Sequence, residues 1–297
     1  MRGSVANQVY VVFKTVIKFG SSKHQAKAEA RSAGAATWHS IGKSIEIYSY
    51  STADAYRDVA KQIFSYAKEN FSVRDITKLE AVHVQSFLEH KIEQGIKYST
   101  FQQYAAAAEK LEVALSRYTC KNYNFDLPEV RELAQNVLEK TDSHRAYSDP
   151  KGLINAVSGS TYKVLAQAQY EGGFRVHELN YLTFLQFKEN GIEVKGKGGK
   201  IRTIELPQST YNALKTLVEN SPDKKLIFSP DIYRKELKTA AVNSMQTYNG
   251  THGLRWSYAQ NTFRALQKEG RSYEESLLIV SQLLGHERAD ITEHYLK

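Results

Sequence analysis

Apolar residues in the first half of the chain recur at every third or fourth position. Tyr56, Val59, Ala60, Ile63, Phe64 and Ala67 fall on one face of a helix, and Ser49-Tyr-Ser-Thr52 ahead of them offers capping hydroxyls. The same period predicts a helix over 79–93, with Val82, Phe87, Leu88 and Ile92 inward. It predicts another over 99–117, with Phe101, Tyr104, Ala105, Ala108, Leu111 and Leu115 inward. The alanine-rich run beginning at Ala26 favours helix by propensity, and Pro128 opens a further helix as a first-turn proline. Residues 9–19 are apolar in places but interrupted by Lys14 and Lys18, which reads as a short strand or a flexible start. Helices joined by short polar turns make this half an all-helical bundle.

The polar segment from Lys140 to Pro150 is the best domain boundary. Beyond it helices are expected at 150–157 and 160–170, Gly172-Gly173 punctuates the chain, and Arg175 starts a short helix. The period then switches to two: 191–195 and 200–206 read as strands around the Gly196-Lys-Gly-Gly199 turn. Helices return at 209–219, 231–247, 253–269 and 273–284, and a short last helix carries Tyr295 with Ile291 as its apolar anchor. The expected organisation is an N-terminal extension at 1–40, a helical domain at 41–141, a linker at 142–150 and a second domain at 151–297.

Composition narrows the class. With 41% hydrophobic and 24% charged residues the chain is expected to be globular and ordered. Its net charge of +8 is shared evenly between the halves, which suits a protein that lays both on one polyanion. The lone cysteine, Cys120, excludes a disulfide framework and a cysteine-based metal site, and fits a reducing cytosol. No apolar run approaches the roughly 20 residues of a membrane span, so a cytoplasmic protein without membrane contact is expected.

Four short patches carry chemistry. Gly191 to Lys197 fits the first seven positions of a nucleotide-binding P-loop, but Gly198 stands where a magnesium-binding Ser or Thr is required, and the intervening residues read as strand. The alternative places Lys197 at the tip of a two-stranded finger, with Lys200 and Arg202 behind it. Arg175 lies one turn before Glu178, where a carboxylate can fix a guanidinium that still forks around a phosphate; a plain surface ion pair is the bland reading. His252-Gly-Leu-Arg255 puts an imidazole and a guanidinium on one face at a helix start, which favours anions. His286 follows the helix stop Leu284-Gly285, and Tyr295 comes nine positions later.

Taken in order, Gly-Phe-Arg175-Val-x-Glu178-Leu, Gly-Lys197-Gly, His252-x-Leu-Arg255, Leu-Gly-His286 and Thr292-x-x-Tyr295 resemble the tyrosine recombinase/integrase family. The resemblance covers the C-terminal half, and the helical bundle matches the family's core-binding domain in type. It implies a mainly α fold with a small β-hairpin, arranged as a two-domain C-clamp on double-stranded DNA. It also implies site-specific recombination through a 3′-phosphotyrosyl link, with no cofactor, metal or ATP. The implied catalytic residues are Arg175, Lys197, His252, Arg255, His286 and Tyr295, with Lys200 and Arg202 contacting DNA. Implied partners are a homotetramer on paired recombination sites, and accessory DNA-bending or directionality proteins. A type IB topoisomerase and a DNA-binding protein with an inactive recombinase fold are the alternatives. Trp256 departs from the family's usual polar or basic residue after the arginine, a change expected to affect packing only. Only Leu296 and Lys297 follow Tyr295, whereas many members carry a tail that docks on a neighbouring subunit.

Overall fold

The computed structural model describes residues 1–140, 144–196, 201–286 and 289–296, the Trp38 side chain excepted. The chain divides into two compact units, Met1–Asp142 and Ser143–Lys297.

The first unit is helical. It opens with α1 (Val5–Phe13), capped by Ser4, where a strand or flexible start was expected. Val9, Val12, Phe13 and Val16 keep a helical period that spans Lys14, and Lys14 simply faces solvent. These four side chains belong to the unit's core, so the stretch 1–40 is in part bundle rather than an extension. Next come α2 (Lys23–Ser32), α3 (Trp38–Ser44) and α4 (Tyr50–Phe71), the last capped by Ser49 as its sequence suggests. They are followed by α5 (Ala81–Glu93), α6 (Tyr98–Thr119) and α7 (Pro128–Val137). On α5 the inward set is Val84, Phe87, Leu88 and Ile92; Val82 is half exposed, one residue out of phase with that stripe. Lys110 is buried on α6 and donates to the carbonyls of Gly42 at 2.8 Å and Ile45 at 2.7 Å, closing the C-terminus of α3.

The second unit begins with a strap, formed by the stretch expected as a linker. The Tyr147 amide donates to Ser257 Oγ at 3.0 Å and its hydroxyl to the Gly250 carbonyl at 3.0 Å. Asn249 Nδ2 donates to the Ala146 carbonyl, and Gln246 bonds both the amide and the carbonyl of Asp149. The strap is followed by α8 (Pro150–Asn155), α9 (Ser160–Gly172) and α10 (Val176–Leu179). A three-stranded antiparallel sheet holds β1 (Phe187–Lys188), β2 (Gly191–Lys195) and β3 (Ile201–Ile204) in that order. β1 was not anticipated, because two residues are too few to show a period. Ile192 pairs with Ile204 and Val194 with Arg202, so Arg202 and Ile204 share the inward face of β3.

Then come α11 (Gln208–Glu219), α12 (Pro230–Asn243), α13 (Gly250–Lys268), α14 (Tyr273–Leu284) and α15 (Ala289–Glu293), closed by a 3₁₀ turn, His294–Leu296. Ile291 does not anchor this last segment; it is 40% exposed, whereas Thr292 and Tyr295 are buried. Tyr295 joins Trp256, Ala259, Phe263, Val280 and Leu284 in an apolar cluster of its own. Among the described residues no helix is long and apolar enough to cross a membrane.

Candidate active site

Three chain reversals bring the candidate residues together. Gly173 ends α9 in the left-handed region (φ +63°), and a Cβ there would lie 2.5 Å from the Tyr258 ring. The turn sends Arg175 to the N-cap of α10. Its amide donates to Glu178 Oε2 at 2.7 Å and its Nη1 to Oε1 at 2.8 Å. Glu178 holds a second guanidinium as well, accepting from Arg202 Nη1 at 2.7 Å and Nη2 at 2.9 Å. Burial pushes the Glu178 carboxyl upward, but the hydrogen bonds and charge of Arg202, then of Arg175, outweigh it and bring it down to about 2.

Arg202 therefore differs from its expected place on a DNA-facing finger. Alternation along β3 turns it inward, where it is buried and grips Glu178 as a fork. Lys197 and Lys200 lie outside the described residues.

The second reversal is the start of α13. Arg255 is wholly buried: Nη1 donates to the Gly173 carbonyl and Nη2 to the Leu284 carbonyl, so one guanidinium ties the ends of α9 and α14 together. Its Nε and that of Arg202 have no hydrogen-bond partner among the described residues. Burial, then the nearby Arg175 charge, lowers the Arg255 guanidinium to about 10, against the smaller opposing pull of Tyr295 and Glu178.

The third is Gly285, left-handed at φ +66°, which ends α14 and turns His286 back toward Arg255. His286 Nδ1 lies 2.7 Å from Thr292 Oγ1, and its Nε2 lies 3.4 Å from Arg255 Nη2.

Tyr295 closes the cluster. Its hydroxyl lies 2.7 Å from His252 Nε2, and its ring centroid is 5.2 Å from that of His286. Burial, then the charges of Arg255, Arg145 and Arg175, brings His252 down to about 4. Burial, then the charges of Arg255, Arg175 and Arg202, brings His286 down to about 3. Both imidazoles are thus neutral near pH 7. With Nδ1 carrying the proton, His252 Nε2 accepts from the Tyr295 hydroxyl.

Of the six residues expected to be catalytic, Arg175, His252, Arg255, His286 and Tyr295 meet here. The sequence reading undervalued Trp256, whose ring stacks on Tyr295 with centroids 4.9 Å apart, and did not single out Gln260, whose Nε2 donates to the Tyr295 carbonyl at 3.1 Å. Their signal was available in the spacing, since His252, Trp256 and Gln260 recur every fourth residue on one helix face. The arrangement offers guanidiniums crowded around one shared carboxylate, together with a phenol hydroxyl on a neutral imidazole. Its chemistry is complementary to an anion with an electrophilic centre. Among the described residues no group of three His, Cys, Asp or Glu is placed to hold a metal ion.

No protein-family model and no curated protein sequence matches the chain. Solved structures do match in fold. The XerH site-specific recombinase, bound to palindromic difH substrate in a post-cleavage complex, has a TM-score of 0.66 and 16% identity over 100% of this chain and 94% of that one. A lambda integrase dimer bound to a COC′ core site has a TM-score of 0.62 and 14% identity over 93% of this chain and 77% of that one. The Tn1549 transposon integrase in complex with transposon right-end DNA has a TM-score of 0.58 and 14% identity over 93% of this chain and 95% of that one. The chain carries the tyrosine recombinase fold, a helical unit followed by a mainly helical unit with a small antiparallel sheet.

Proposed function

We propose that the chain is a site-specific DNA recombinase that cuts and rejoins strands through Tyr295. The observation that carries this reading is the Tyr295 hydroxyl on neutral His252, inside a cluster of arginines suited to a phosphodiester. In the proposed reaction the Tyr295 oxygen attacks phosphorus while His252 takes the hydroxyl proton. The bond from phosphorus to the 5′-oxygen breaks, Lys197 supplies a proton to that oxygen, and a 3′-phosphotyrosyl link remains. The 5′-hydroxyl of a second strand then reverses the sequence, so the energy of the bond is conserved and no nucleotide triphosphate is consumed.

Arg175 and Arg255 stabilise charge on the non-bridging oxygens, each donor being worth about 10²–10³-fold in rate. An incoming phosphate meets Arg175 first, because that side chain keeps 19% of its surface exposed whereas Arg255 keeps none. His286, fixed by Thr292, adds a phosphate donor or orients Tyr295. The even positive surplus supports phosphate contacts along both units, so affinity should fall steeply with salt. The partner is double-stranded DNA, with paired sites held by a homotetramer.

A two-duplex assay with the DNA that flanks the coding region tests the reaction class. Recombinant duplexes and four-way junctions support the proposal. Relaxed topoisomers without exchanged strands point to a type IB topoisomerase, and retarded but uncut DNA points to an inactive binder.

A further inference from the structure

Tyr295 is held along its whole length by one face of α13. The face repeats every fourth residue: His252, Trp256, Gln260. Each turn meets a different part of the tyrosine. His252 Nε2 takes the hydroxyl at 2.7 Å; the Trp256 ring lies against the phenol ring at 4.9 Å and 26° between planes; Gln260 Nε2 donates to the backbone carbonyl at 3.1 Å. Trp256 is itself fixed, with 2% of its surface exposed and the His294 ring packed edge-to-face, centroids 5.2 Å apart. The segment carrying Tyr295 is short, a helix of five residues and a 3₁₀ turn, and Ile291 contributes little burial to it. Such a segment cannot hold a side chain in one geometry by its own propensity, because helices this short are marginal without tertiary contacts.

We propose that Trp256 and Gln260 are positioning residues that seat Tyr295 with its hydroxyl on His252, so that one helix presents both the nucleophile and its base. The proposal rests on the strand-transfer reading above. Trp256 fixes the plane of the phenol ring by offset stacking, and Gln260 fixes the height of the segment along the helix. Together they leave the hydroxyl one place to point. A nucleophile displaced by about 1 Å loses on the order of 10²-fold in rate, so the seat bears on chemistry and not only on folding. This assigns Trp256 more than the packing role its sequence position suggests.

The test uses the full chain and two readouts, one independent of activity. Nitration by tetranitromethane, read at the Tyr295 peptide by mass spectrometry, reports how well the phenol is shielded. The initial rate of covalent DNA–protein adduct formation reports chemistry, with DNA affinity and far-UV circular dichroism checked in parallel. Trp256→Leu and Gln260→Ala should each raise Tyr295 nitration several-fold. Each should also slow adduct formation at least about tenfold with DNA affinity unchanged, and Trp256→Phe, which keeps a ring to stack, should stay near wild type. Gln260→Ala removes the hydrogen bonds to the Tyr295 carbonyl and from Arg264 and leaves the apolar cluster filled, so it decides the matter if Trp256→Leu fails to fold. Unchanged nitration in the variants overturns the seat. Raised nitration with an unchanged rate overturns the positioning role, and a faster rate overturns it in favour of a restraint that holds the tyrosine back. A wild-type chain that forms no adduct overturns the recombinase reading instead, while nitration still judges the seat.

Discussion

The hydroxyl of Tyr295 sits 2.7 Å from Nε2 of His252, and that imidazole is held near pKa 4 by burial and three neighbouring arginines. In the proposed reaction the pair joins a nucleophile to a base that is unprotonated at physiological pH. His252→Gln keeps a polar side chain but removes the base. Adduct formation should slow by about 10²–10⁴-fold while DNA affinity stays within a few-fold of wild type. A variant that cleaves at the wild-type rate removes His252 from the proton transfer.

Glu178 is the shared counter-charge of Arg175 and Arg202, buried and bonded to both. Glu178→Gln removes that charge and leaves two guanidiniums facing each other, one of them buried. Loss of one partner of such a buried arrangement costs roughly 3–5 kcal/mol. Urea denaturation at pH 7 should record a loss of that order, together with slower adduct formation because Arg175 loses its brace. An unchanged urea midpoint contradicts the bracing role.

The two site histidines predict a stability loss in mild acid. Both have folded-state values, about 4 and about 3, below the ordinary 6.5. The unfolded chain therefore binds more protons below pH 6.5, and stability declines as pH falls from there toward 3. Glu178, lowered from 4.5 to about 2, adds its own loss only below pH 4.5. Between pH 6.5 and 4.5 the loss comes from these two histidines, with a further share from His177, also lowered by burial. Melting temperature should drop across it in the wild type and be flatter in His252→Gln/His286→Gln. Equal slopes in the two proteins rule this account out.

Gly253 is required where the strap crosses α13. A Cβ there would come within 2.6 Å of the Arg145 carbonyl and 2.7 Å of the Tyr147 ring. Gly253→Ala should push the strap off the helix that bears His252 and cost about 1–3 kcal/mol, as overpacking does. Gly250→Ala is the control, since open space surrounds it and only its positive φ of 71° is strained. If Gly253→Ala melts with wild type, the strap is not the reason for the glycine.

Much of this was legible because helical period and glycine stops are local. The stripe on α4, the Ser49 cap, the Gly173 and Gly285 reversals, and the order Arg175, His252, Arg255, His286, Tyr295 all follow from neighbours in sequence. What the sequence hid was long-range. Arg202 reads as an exposed hairpin cation until the register of β3 against β2 turns it toward Glu178, 24 positions away. Trp256 reads as a packing substitution until Tyr295 folds against it. At the N-terminus Lys14 disguised a helix, because one exposed lysine breaks an apolar run without breaking a period of three and four. Ile291 was chosen as an anchor for its hydrophobicity, yet Thr292 is the buried neighbour, since its hydroxyl has a partner in His286.

The central claim, that Tyr295 is a DNA-linked nucleophile, is tested most directly by trapping the link. Wild type and Tyr295→Phe are incubated with a nicked duplex carrying the candidate site, denatured in detergent, and resolved for protein bound to labelled DNA. The account predicts an adduct on the 3′-phosphate with wild type, its mass mapping to the Tyr295 peptide, and none with Tyr295→Phe. An adduct that persists in Tyr295→Phe, or that maps to another residue, contradicts it.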